Sequence, residues 1–244
     1  MRSCVIIPAR YESSRLPGKP LIDLLGKPMI IWVAEIASKA VGISNVFIAT
    51  DDNRIANTVN KKGYKYIMTS SSSLTGTDRV AEASIDLNYD IFVNVQGDEP
   101  LVSPRDIVRC IDYKIQYTNH IINSYNIISK NQDPASINIP KVVINNSEDL
   151  IYISRSLIPG FKDFKSKVGL YLKQVCIYGY NKKELFDFLQ FGGKSKIEES
   201  EDIEILRFFE LGHPIKMFKS KNNSFSVDIN DDIEKVEREL RLRN

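Results

Sequence analysis

Short apolar strands alternate with amphipathic helices through the first half of the chain, and this alternation restricts the fold more than any other sequence feature. The predicted strands cover 4–7, 45–49, 64–68 and 90–95, and the predicted helices cover about 29–39, 53–62 and 78–87. Strand–helix alternation with short connections is typical of parallel sheets with right-handed crossovers and helices on both faces. We therefore predict an α/β fold with a mostly parallel, Rossmann-like sheet.

After residue 100 the pattern changes, and between about 121 and 180 strand-like runs follow one another without helices between them. The elements predicted here are a helix at 104–116, strands at 121–128, 141–144, 151–154 and 170–180, helices at 182–189 and 201–211, strands at 214–219 and 225–227, and a final helix at 231–242. The strands between about 121 and 180 are expected to form an antiparallel layer that covers one end of the sheet. Since no repeat or linker is evident, residues 1–244 are predicted to be a single domain.

Composition argues against several classes of protein. The formal net charge of +2 in 244 residues, with no basic tail, argues against nucleic acid as a partner. The sequence has neither a cleavable signal nor an apolar run of transmembrane length, which predicts a cytoplasmic protein without membrane insertion. Cys4, Cys110 and Cys176 are too widely spaced for a metal cluster or a disulfide framework, and Cys4 and Cys176 are expected in the core.

Three cations follow the first predicted strand. The loop after residue 7 contains prolines and a glycine that keep it from forming a helix, and its cations are Arg10, Arg15 and Lys19. Ligands of open α/β sheets bind at the carboxyl ends of the strands. The grouping therefore indicates a site for an anionic ligand rather than an ordinary solvated loop.

Two aspartates also follow predicted strands. Asp98 lies in the segment Gln-Gly-Asp-Glu-Pro, and Asp228 precedes the final helix. Each has a structural alternative, a tight turn for Asp98 and a helix cap for Asp228. Carboxylates at this edge of a sheet suit Mg²⁺, and Mg²⁺ with Lys and Arg is the usual means of holding a triphosphate. We predict that Asp98 binds Mg²⁺, while Asp228 is either a second ligand or a cap.

The remaining polar features each have two interpretations. The hydroxyl-rich stretch 70–79 either contacts a base or ribose or is a capped, solvated loop. Arg155 follows a predicted strand, where it is either a bidentate clamp for a carboxylate or a surface arginine. The acidic run 198–202 is interpreted as a solvated helix start, and His120 and His213 are assigned no role.

Several of these segments occur together, in this order, in one family of enzymes. Over nearly its whole length the chain resembles the 3-deoxy-manno-octulosonate (Kdo) cytidylyltransferases, the CMP-Kdo synthetases. The segments that carry the resemblance are 5–11 (VIIPARY), 14–21 (SRLPGKPL), 49–52 (ATDD), 76–79 (GTDR), 94–100 (NVQGDEP) and 154–156 (SRS). A lone Gln-Gly-Asp-Glu-Pro segment is not specific, whereas the ordered combination is.

The resemblance implies a nucleotidyltransferase fold, a homodimer and the reaction CTP + Kdo → CMP-Kdo + pyrophosphate, for lipopolysaccharide or capsule synthesis. By matching position, it implies catalytic roles for Arg10, Arg15, Lys19 and Asp98, with Mg²⁺ bound by Asp98 and Asp228. The implied nucleotide site consists of Pro8, Ala9, Arg10, Arg15, Lys19, Ser71, Gly76, Thr77 and Arg79. The implied sugar site consists of Gln96, Arg155, Gln174, Tyr178 and Glu204, with Arg155 facing the sugar carboxylate.

The chain departs from the family pattern mainly on the sugar side. Gln174 stands where the family has a histidine, and Ile205 stands where it has an amide side chain. Thr75 replaces a serine, and the segment after Asp228 lacks the family's proline. A pocket that hydrogen-bonds particular hydroxyl groups discriminates strongly between analogues. The prediction is therefore CMP transfer to a 2-keto-3-deoxy sugar acid, with Kdo first and 8-amino-Kdo, sialic acid or another ulosonic acid as alternatives.

The predicted mechanism is direct in-line attack of the sugar's anomeric hydroxyl on the α-phosphorus of CTP, without a covalent enzyme intermediate. Lys19 and the two arginines of the first loop neutralise the leaving pyrophosphate, and the sequence identifies no general base. Two other function classes remain. A glycosyltransferase would release no pyrophosphate, and a catalytically silent nucleotide-binding protein would bind CTP without turnover.

Overall fold

The secondary structure of the computed structural model contains the predicted alternation in the first half of the chain. The structure describes residues 1–12, 16–129, 132–162, 171–221, 224, 226–227 and 229–243. Its strands are β1 (Ser3–Ala9), β2 (Asp23–Leu24), β3 (Lys27–Pro28), β4 (Val46–Thr50), β5 (Lys65–Met68), β6 (Ile91–Val95), β7 (Ile121–Ile127), β8 (Lys141–Ile144), β9 (Leu150–Ser154), β10 (Leu172–Tyr180) and β11 (Ile215–Lys219). Its helices are α1 (Met29–Val41), α2 (Asn53–Asn60), α3 (Gly76–Ser84), α4 (Pro104–Gln116), α5 (Lys182–Gln190), α6 (Lys196–Glu201), α7 (Ile205–Glu210) and α8 (Asn230–Arg243).

The main sheet has the strand order β11-β7-β10-β6-β1-β4-β5, with β8 beside β10 and β9 beside β8. As predicted, β1 pairs in parallel with β4 and β6, and β4 pairs in parallel with β5. The apolar residues 4–7 of β1 are 0% exposed, and Ile30 and Val33 of α1 pack into the same buried cluster as Val5. Full burial of such side chains stabilises a fold by about 1.5–3 kcal/mol each. The α/β fold with a mostly parallel sheet is confirmed.

Strand β10 runs against its neighbours in the main sheet. It is antiparallel to β6 on one side and to β7 on the other, and β7 is parallel to β11. The antiparallel pairing predicted for 121–180 is present, but β7 and β10 lie within the main sheet, and the β8–β9 hairpin continues from the start of β10. Because β10 is reversed and Ile177 pairs with Val95, the residues before Ile177 extend past the carboxyl end of β6.

The helix predicted at 201–211 is interrupted. Helix α6 begins at a capping box between Ser195 and Glu198, and it ends where Asp202 adopts a left-handed conformation with φ 50°. Helix α7 then starts at Ile205. Aspartate is among the few non-glycine residues that tolerate this conformation, so the break left no glycine or proline in the sequence to mark it.

The C-terminal segment contacts the loop after β6. Ser226 and Val227 do not form the predicted strand at 225–227, and Phe225 lies outside the described residues. Val227 donates its N–H to the Asp98 carbonyl oxygen at 3.0 Å, and its side chain is fully buried. Within the described parts of the chain, no helix is long and apolar enough to cross a lipid bilayer.

Candidate active site

A lysine and an aspartate meet at the carboxyl edge of the parallel strands. Lys19 Nζ donates to Asp98 Oδ2 at 2.5 Å, and the two side chains are 14% and 29% exposed. Lys19 begins a single 3₁₀ turn that is capped by Gly18 in a left-handed conformation with φ 70°. The Gly18 N–H donates to the Tyr11 carbonyl oxygen at 2.9 Å. These contacts fix the backbone from which Lys19 reaches the aspartate.

The loop after β6 passes so close to the end of β1 that only glycine fits at position 97. A Cβ added at Gly97 would lie 2.8 Å from the Pro8 carbonyl oxygen. Pro8 and Ala9 are buried within β1, which continues beyond its predicted end. They form the wall beside the loop that contains Asp98. Their predicted contact with a nucleotide stays a prediction.

Of the other predicted cations and the second aspartate, the structure describes Arg10 alone. Arg10 is exposed directly after β1. The pKa of Asp202 is lowered first by a hydrogen bond from Lys194 and further by nearby cations that include Arg10. Arg10 therefore lies in electrostatic reach of the loop between α6 and α7. Arg15 and Asp228 lie outside the described residues, and their predicted roles stay predictions.

Glu204 joins the loop after β6 to the first turn of α3. Its Oε1 accepts from Gln96 Nε2 and its Oε2 accepts from the Thr77 N–H, both at 2.8 Å. A capping box between Thr75 and Asp78 holds this helix start in place. Burial raises the pKa of Glu204, and the hydrogen bond from the Thr77 N–H opposes that rise. Three predicted site residues, Gln96, Thr77 and Glu204, are thus in direct contact.

The remaining residues of the predicted nucleotide site have different environments. Gly76 is the first residue of α3, and a Cβ there would lie 2.8 Å from Gln96 Nε2. Ser71 is exposed in the turn before this helix. Arg79 is 3% exposed, and its guanidinium donates to Asp51 Oδ2 at 2.9 Å, which joins α3 to the end of β4. Nucleotide contacts by Ser71 and Arg79 stay predictions.

Strand β10 has a bulge beside this site. Its register with β7 shifts between Val175 and Tyr178, and Cys176 lies within the shift. Cys4 is 0% exposed in the core, as expected, and Cys176 is partly buried and packs against the same core cluster. Burial and then the acidic loop containing Asp98 raise the pKa of the Cys176 thiol well above its usual range. A neutral thiol therefore lies near the acidic loop.

The bulge is held by Asn123 of β7, which sequence reasoning missed. Asn123 Nδ2 donates to the carbonyl oxygens of Val175 at 3.1 Å and Ile177 at 2.9 Å. Gln174 Nε2 donates to Asn123 Oδ1 at 3.1 Å. Polar residues within the largely buried strand β7 were the available signal, since buried amides require partners. Gln174 thus supports the bulge, and its direct contact with a sugar stays a prediction.

Tyr178 and Arg155 complete the predicted sugar site. Tyr178 is 3% exposed, and its ring stacks on Tyr180 with the centroids 6.2 Å apart. The Arg155 guanidinium donates to three backbone carbonyl oxygens. Two of these bonds hold the turn after β9 against the end of α6. The three oxygens belong to Glu201 (2.5 Å), Asp202 (2.9 Å) and Ile137 (2.9 Å). The pairing of Arg155 with a sugar carboxylate stays a prediction.

The chemistry of the Asp98 environment fits a magnesium ion. Asp98 offers hard, partly exposed carboxylate oxygens at the sheet edge, as Mg²⁺ prefers. Among the residues that the structure describes, no three His, Cys, Asp or Glu side chains form a metal-binding group. Mg²⁺ is commonly held by one or two carboxylates, with substrate phosphates and water as its other ligands. A single partly exposed carboxylate such as Asp98 therefore fits a magnesium ion.

Comparisons with known proteins identify several relatives. The family profile for cytidylyltransferases matches residues 4–220. The chain is 37% identical to the 3-deoxy-manno-octulosonate cytidylyltransferase of Escherichia coli, with 96% of this chain and 94% of that protein covered. It is 40% identical to the 8-amino-3,8-dideoxy-manno-octulosonate cytidylyltransferase of Shewanella sp. (strain W3-18-1), with 98% and 99% covered. The solved structure of a CMP:2-keto-3-deoxy-manno-octonic acid synthetase complexed with CTP superposes with a TM-score of 0.91 at 36% identity, both chains being fully covered.

Proposed function

Because the chain belongs to the cytidylyltransferase family, we propose that it transfers the CMP group of CTP to the anomeric hydroxyl of Kdo and releases pyrophosphate. The observation that carries the proposal is the Lys19–Asp98 pair, 2.5 Å apart at the carboxyl edge of the parallel strands. This edge is where open α/β sheets bind ligands, and a cation beside a carboxylate suits a magnesium-bound triphosphate. The proposed substrates are those of the relatives, which include a Kdo cytidylyltransferase and a synthetase complexed with CTP.

In the proposed reaction the anomeric oxygen bonds to the α-phosphorus while the bond from that phosphorus to the leaving pyrophosphate breaks. The hydroxyl proton passes to water, and negative charge builds up on the pyrophosphate. Lys19 and Arg10, with Arg15, neutralise that charge. One positioned group that stabilises developing charge typically accelerates such a step by about 10²–10³-fold.

Asp98 is proposed to hold Mg²⁺, with Asp228 as a second carboxylate. When bound, Mg²⁺ orients the α-phosphate and lowers the pKa of the attacking hydroxyl. The Asp98 side chain accepts from Lys19, and its carbonyl oxygen accepts from the Val227 N–H at 3.0 Å. The loop after β6 is thus held from two sides. Asp98→Asn should raise the Mg²⁺ requirement severely, and an unchanged Mg²⁺ titration would exclude ligation by Asp98.

The sugar acid is proposed to bind beside Gln96, Glu204 and Tyr178, with Arg155 and Gln174 completing the site. The Gln96 amide and the Glu204 carboxylate, 2.8 Å apart, offer donors and acceptors for sugar hydroxyls. Because Gln174 stands where the resembling family has a histidine, 8-amino-Kdo is the second candidate acceptor. The relative that is 40% identical is named for that substrate.

We further propose that residues 1–244 form one nucleotidyltransferase domain that acts as a cytoplasmic homodimer and supplies CMP-Kdo for lipopolysaccharide or capsule synthesis. Strands from both halves of the chain share one sheet, which supports a single domain. The three cysteines are free, as in proteins of a reducing compartment. The homodimer rests on the family resemblance, and light scattering after size-exclusion chromatography tests it.

A pyrophosphate-release assay with CTP, Mg²⁺ and a panel of Kdo, 8-amino-Kdo and sialic acid tests the proposed function. The expected result is the highest kcat/KM with Kdo. A higher value with 8-amino-Kdo would assign the second acceptor, and a preference for sialic acid would reject both. CTP binding by calorimetry without turnover on any acceptor would indicate a silent binding protein. Sugar transfer from a sugar nucleotide without pyrophosphate release would indicate a glycosyltransferase.

A further inference from the structure

The acid that follows Asp98 is buried. Glu99 is 6% exposed, and its Oε2 accepts a hydrogen bond from the Ser224 hydroxyl. Ser224 is also buried, at 7% exposure. A buried carboxylate is costly unless it has both hydrogen bonds and a compensating charge. The surroundings of Glu99 therefore matter for the position of the loop that also contains Asp98.

The compensating charge is on Lys173 of β10. Lys173 is 4% exposed, and its Nζ donates to the Ser224 carbonyl oxygen at 3.3 Å. Ser224 thus stands between the two charges, accepting from the ammonium and donating to the carboxylate. Burial lowers the pKa of Lys173, and the charge of Glu99 opposes that change. Lys173, Ser224 and Glu99 form a chain of buried contacts, which we call the relay.

The topology of the sheet explains why this lysine reaches the loop after β6. Strand β10 is reversed, and Ile177 pairs with Val95, the last residue of β6. Lys173 is nearer the start of β10, so it lies beyond the carboxyl end of β6 and beside the following loop. On the same loop, the Asp98 carbonyl oxygen accepts from the Val227 N–H at 3.0 Å. The loop is thus tied to β10 and to the C-terminal segment.

We propose that Lys173 is a positioning residue which, through the relay, holds the loop after β6 so that Asp98 faces Lys19 and the incoming magnesium-bound nucleotide. The inference rests on the proposed function of Asp98. Four charged groups form two tiers here, a partly exposed pair of Lys19 with Asp98 and a buried set of Lys173 with Glu99. The outer tier contacts the ligand. The inner tier positions the outer tier through the peptide bond between residues 98 and 99.

Lys173→Met tests the relay, and Lys114→Met is its matched control. Lys114 is 1% exposed and donates to both carboxylate oxygens of Glu184 at 2.7 Å, a buried pair between α4 and α5. For Lys173→Met we expect about a 10- to 100-fold rise in the Mg²⁺ concentration that gives half the maximal rate, the usual effect of removing an outer support of a metal site. Lys114→Met should lower the melting temperature without changing the Mg²⁺ dependence.

The double variant Lys173→Met/Glu99→Gln supplies a rescue. A neutral glutamine still accepts from the Ser224 hydroxyl and needs no buried cation. We therefore expect the Mg²⁺ concentration that gives half the maximal rate to return most of the way to its wild-type value. If Lys173→Met does not fold, Ser224→Ala removes only the relay hydroxyl, and a rise in the Mg²⁺ requirement is again expected. An unchanged requirement in Lys173→Met, or an equal shift in Lys114→Met, would overturn the inference.

Hydrogen exchange of peptides spanning residues 96–102 in the ligand-free protein gives a readout independent of activity. The relay predicts faster exchange there in Lys173→Met and wild-type exchange in Lys114→Met. Unaltered exchange in Lys173→Met would reject the relay even if the enzyme is active. A wild-type protein that releases no pyrophosphate would refute the proposed function, while the exchange measurement would still decide whether Lys173 holds the loop.

Discussion

The two sides of the candidate site hold their polar groups in different ways. On the nucleotide side, which we define as the loops after β1 and β6, Lys19 follows a turn that requires Gly18, and Asp98 follows Gly97, where the backbone passes close to Pro8. On the acceptor side, the bulge of β10 with its supports, Asn123 makes three hydrogen bonds inside the sheet. The nucleotide side is a pair of turns with a partly exposed ion pair, and the acceptor side is a buried network.

This difference separates function from stability. Lys19 and Asp98 are 14% and 29% exposed, so water can reach the group that remains when its partner is removed. A buried polar group that loses its partner costs about 1–3 kcal/mol. Substitutions on the nucleotide side should therefore change the reaction and little else, whereas those on the acceptor side should change binding and folding together. Glu204 bonds to Gln96 of the loop after β6 and is proposed to bind the sugar acid, so it tests how far the two sides are separate.

The largest expected effect is that of Lys19→Ala. We expect kcat to fall by about 10²–10³-fold because a cation that meets the developing charge is removed, with the melting temperature nearly unchanged. A pyrophosphate-release assay measures kcat, and thermal unfolding measures the melting temperature. Lys27→Ala is the control, since Lys27 forms a nearby ion pair with Glu35 at 2.6 Å outside the site. A near-normal rate for Lys19→Ala would remove the role of this lysine at the triphosphate.

Glu204→Gln should have the next largest effect. A glutamine cannot accept from both Gln96 and Thr77 as the carboxylate does, and a hydrogen bond to a charged group contributes about 1.5–3 kcal/mol, or about 10- to 100-fold in kcat/KM. We expect the loss to appear in kcat/KM for the sugar acid. An equal rise in KM for CTP would break the division into two sides. Glu210→Gln, at an exposed carboxylate of α7 that accepts from the Ile197 N–H, is the control.

Gln174→Ala should change acceptor use moderately. It removes one neutral hydrogen bond to Asn123, which contributes about 0.5–1.5 kcal/mol, or about 2- to 10-fold in kcat/KM for the sugar acid. KM for CTP should not change, as steady-state kinetics with each substrate varied will show. Gln174→His introduces the histidine of the Kdo cytidylyltransferase pattern. This variant should alter the ratio of kcat/KM between Kdo and 8-amino-Kdo. If that ratio and the Gln174→Ala kinetics both equal wild type, position 174 plays no part in acceptor choice.

The smallest effect concerns pH and His213, which lies between α7 and β11. Burial lowers the pKa of His213, although Asp187 at 3.2 Å opposes the shift. The fold therefore prefers the neutral ring. This contribution to stability is present above about pH 6.5, the unfolded pKa of histidine, and is lost as the pH falls through the lower folded value. Acidification from about pH 7.5 to about pH 5.5, one unit on either side of that pKa, should lower the free energy of unfolding less for His213→Gln than for wild type. Urea unfolding at the two pH values measures this difference. Equal losses in the two proteins would contradict it.

The predictable parts of the fold are those whose sequence pattern lies within a few consecutive residues. Residues 4–7 are an unbroken apolar run and form the fully buried centre of β1. Helix α4 spans Pro104–Gln116, as predicted, because Ser103 caps it and proline stands at its first position. The break after α6 was missed because Asp202 takes a left-handed conformation that carries no compositional mark.

The candidate site was predictable to a similar extent. Lys19 and Asp98 follow strands of a parallel sheet, so sequence order was enough to bring their loops to one edge. Asn123 and Lys173 were not found, since each matters through a partner far away in the chain. The apolar neighbours of Cys176 predicted that it packs against the core, whereas the bulge in which it lies left no mark in the sequence.

By itself the sequence determined the alternation of strands and helices, the sheet edge at which Lys19 and Asp98 meet, and the family that the chain resembles. These depend on periodicity and on motifs a few residues long. Only the tertiary structure decided that β10 runs in reverse between β6 and β7, and that Lys173 therefore lies beyond the end of β6, where it bonds to Ser224. The reason is physical. Strand pairing and the burial of a charge are settled by contacts between segments distant in the chain, and no local pattern encodes which partner each segment will meet.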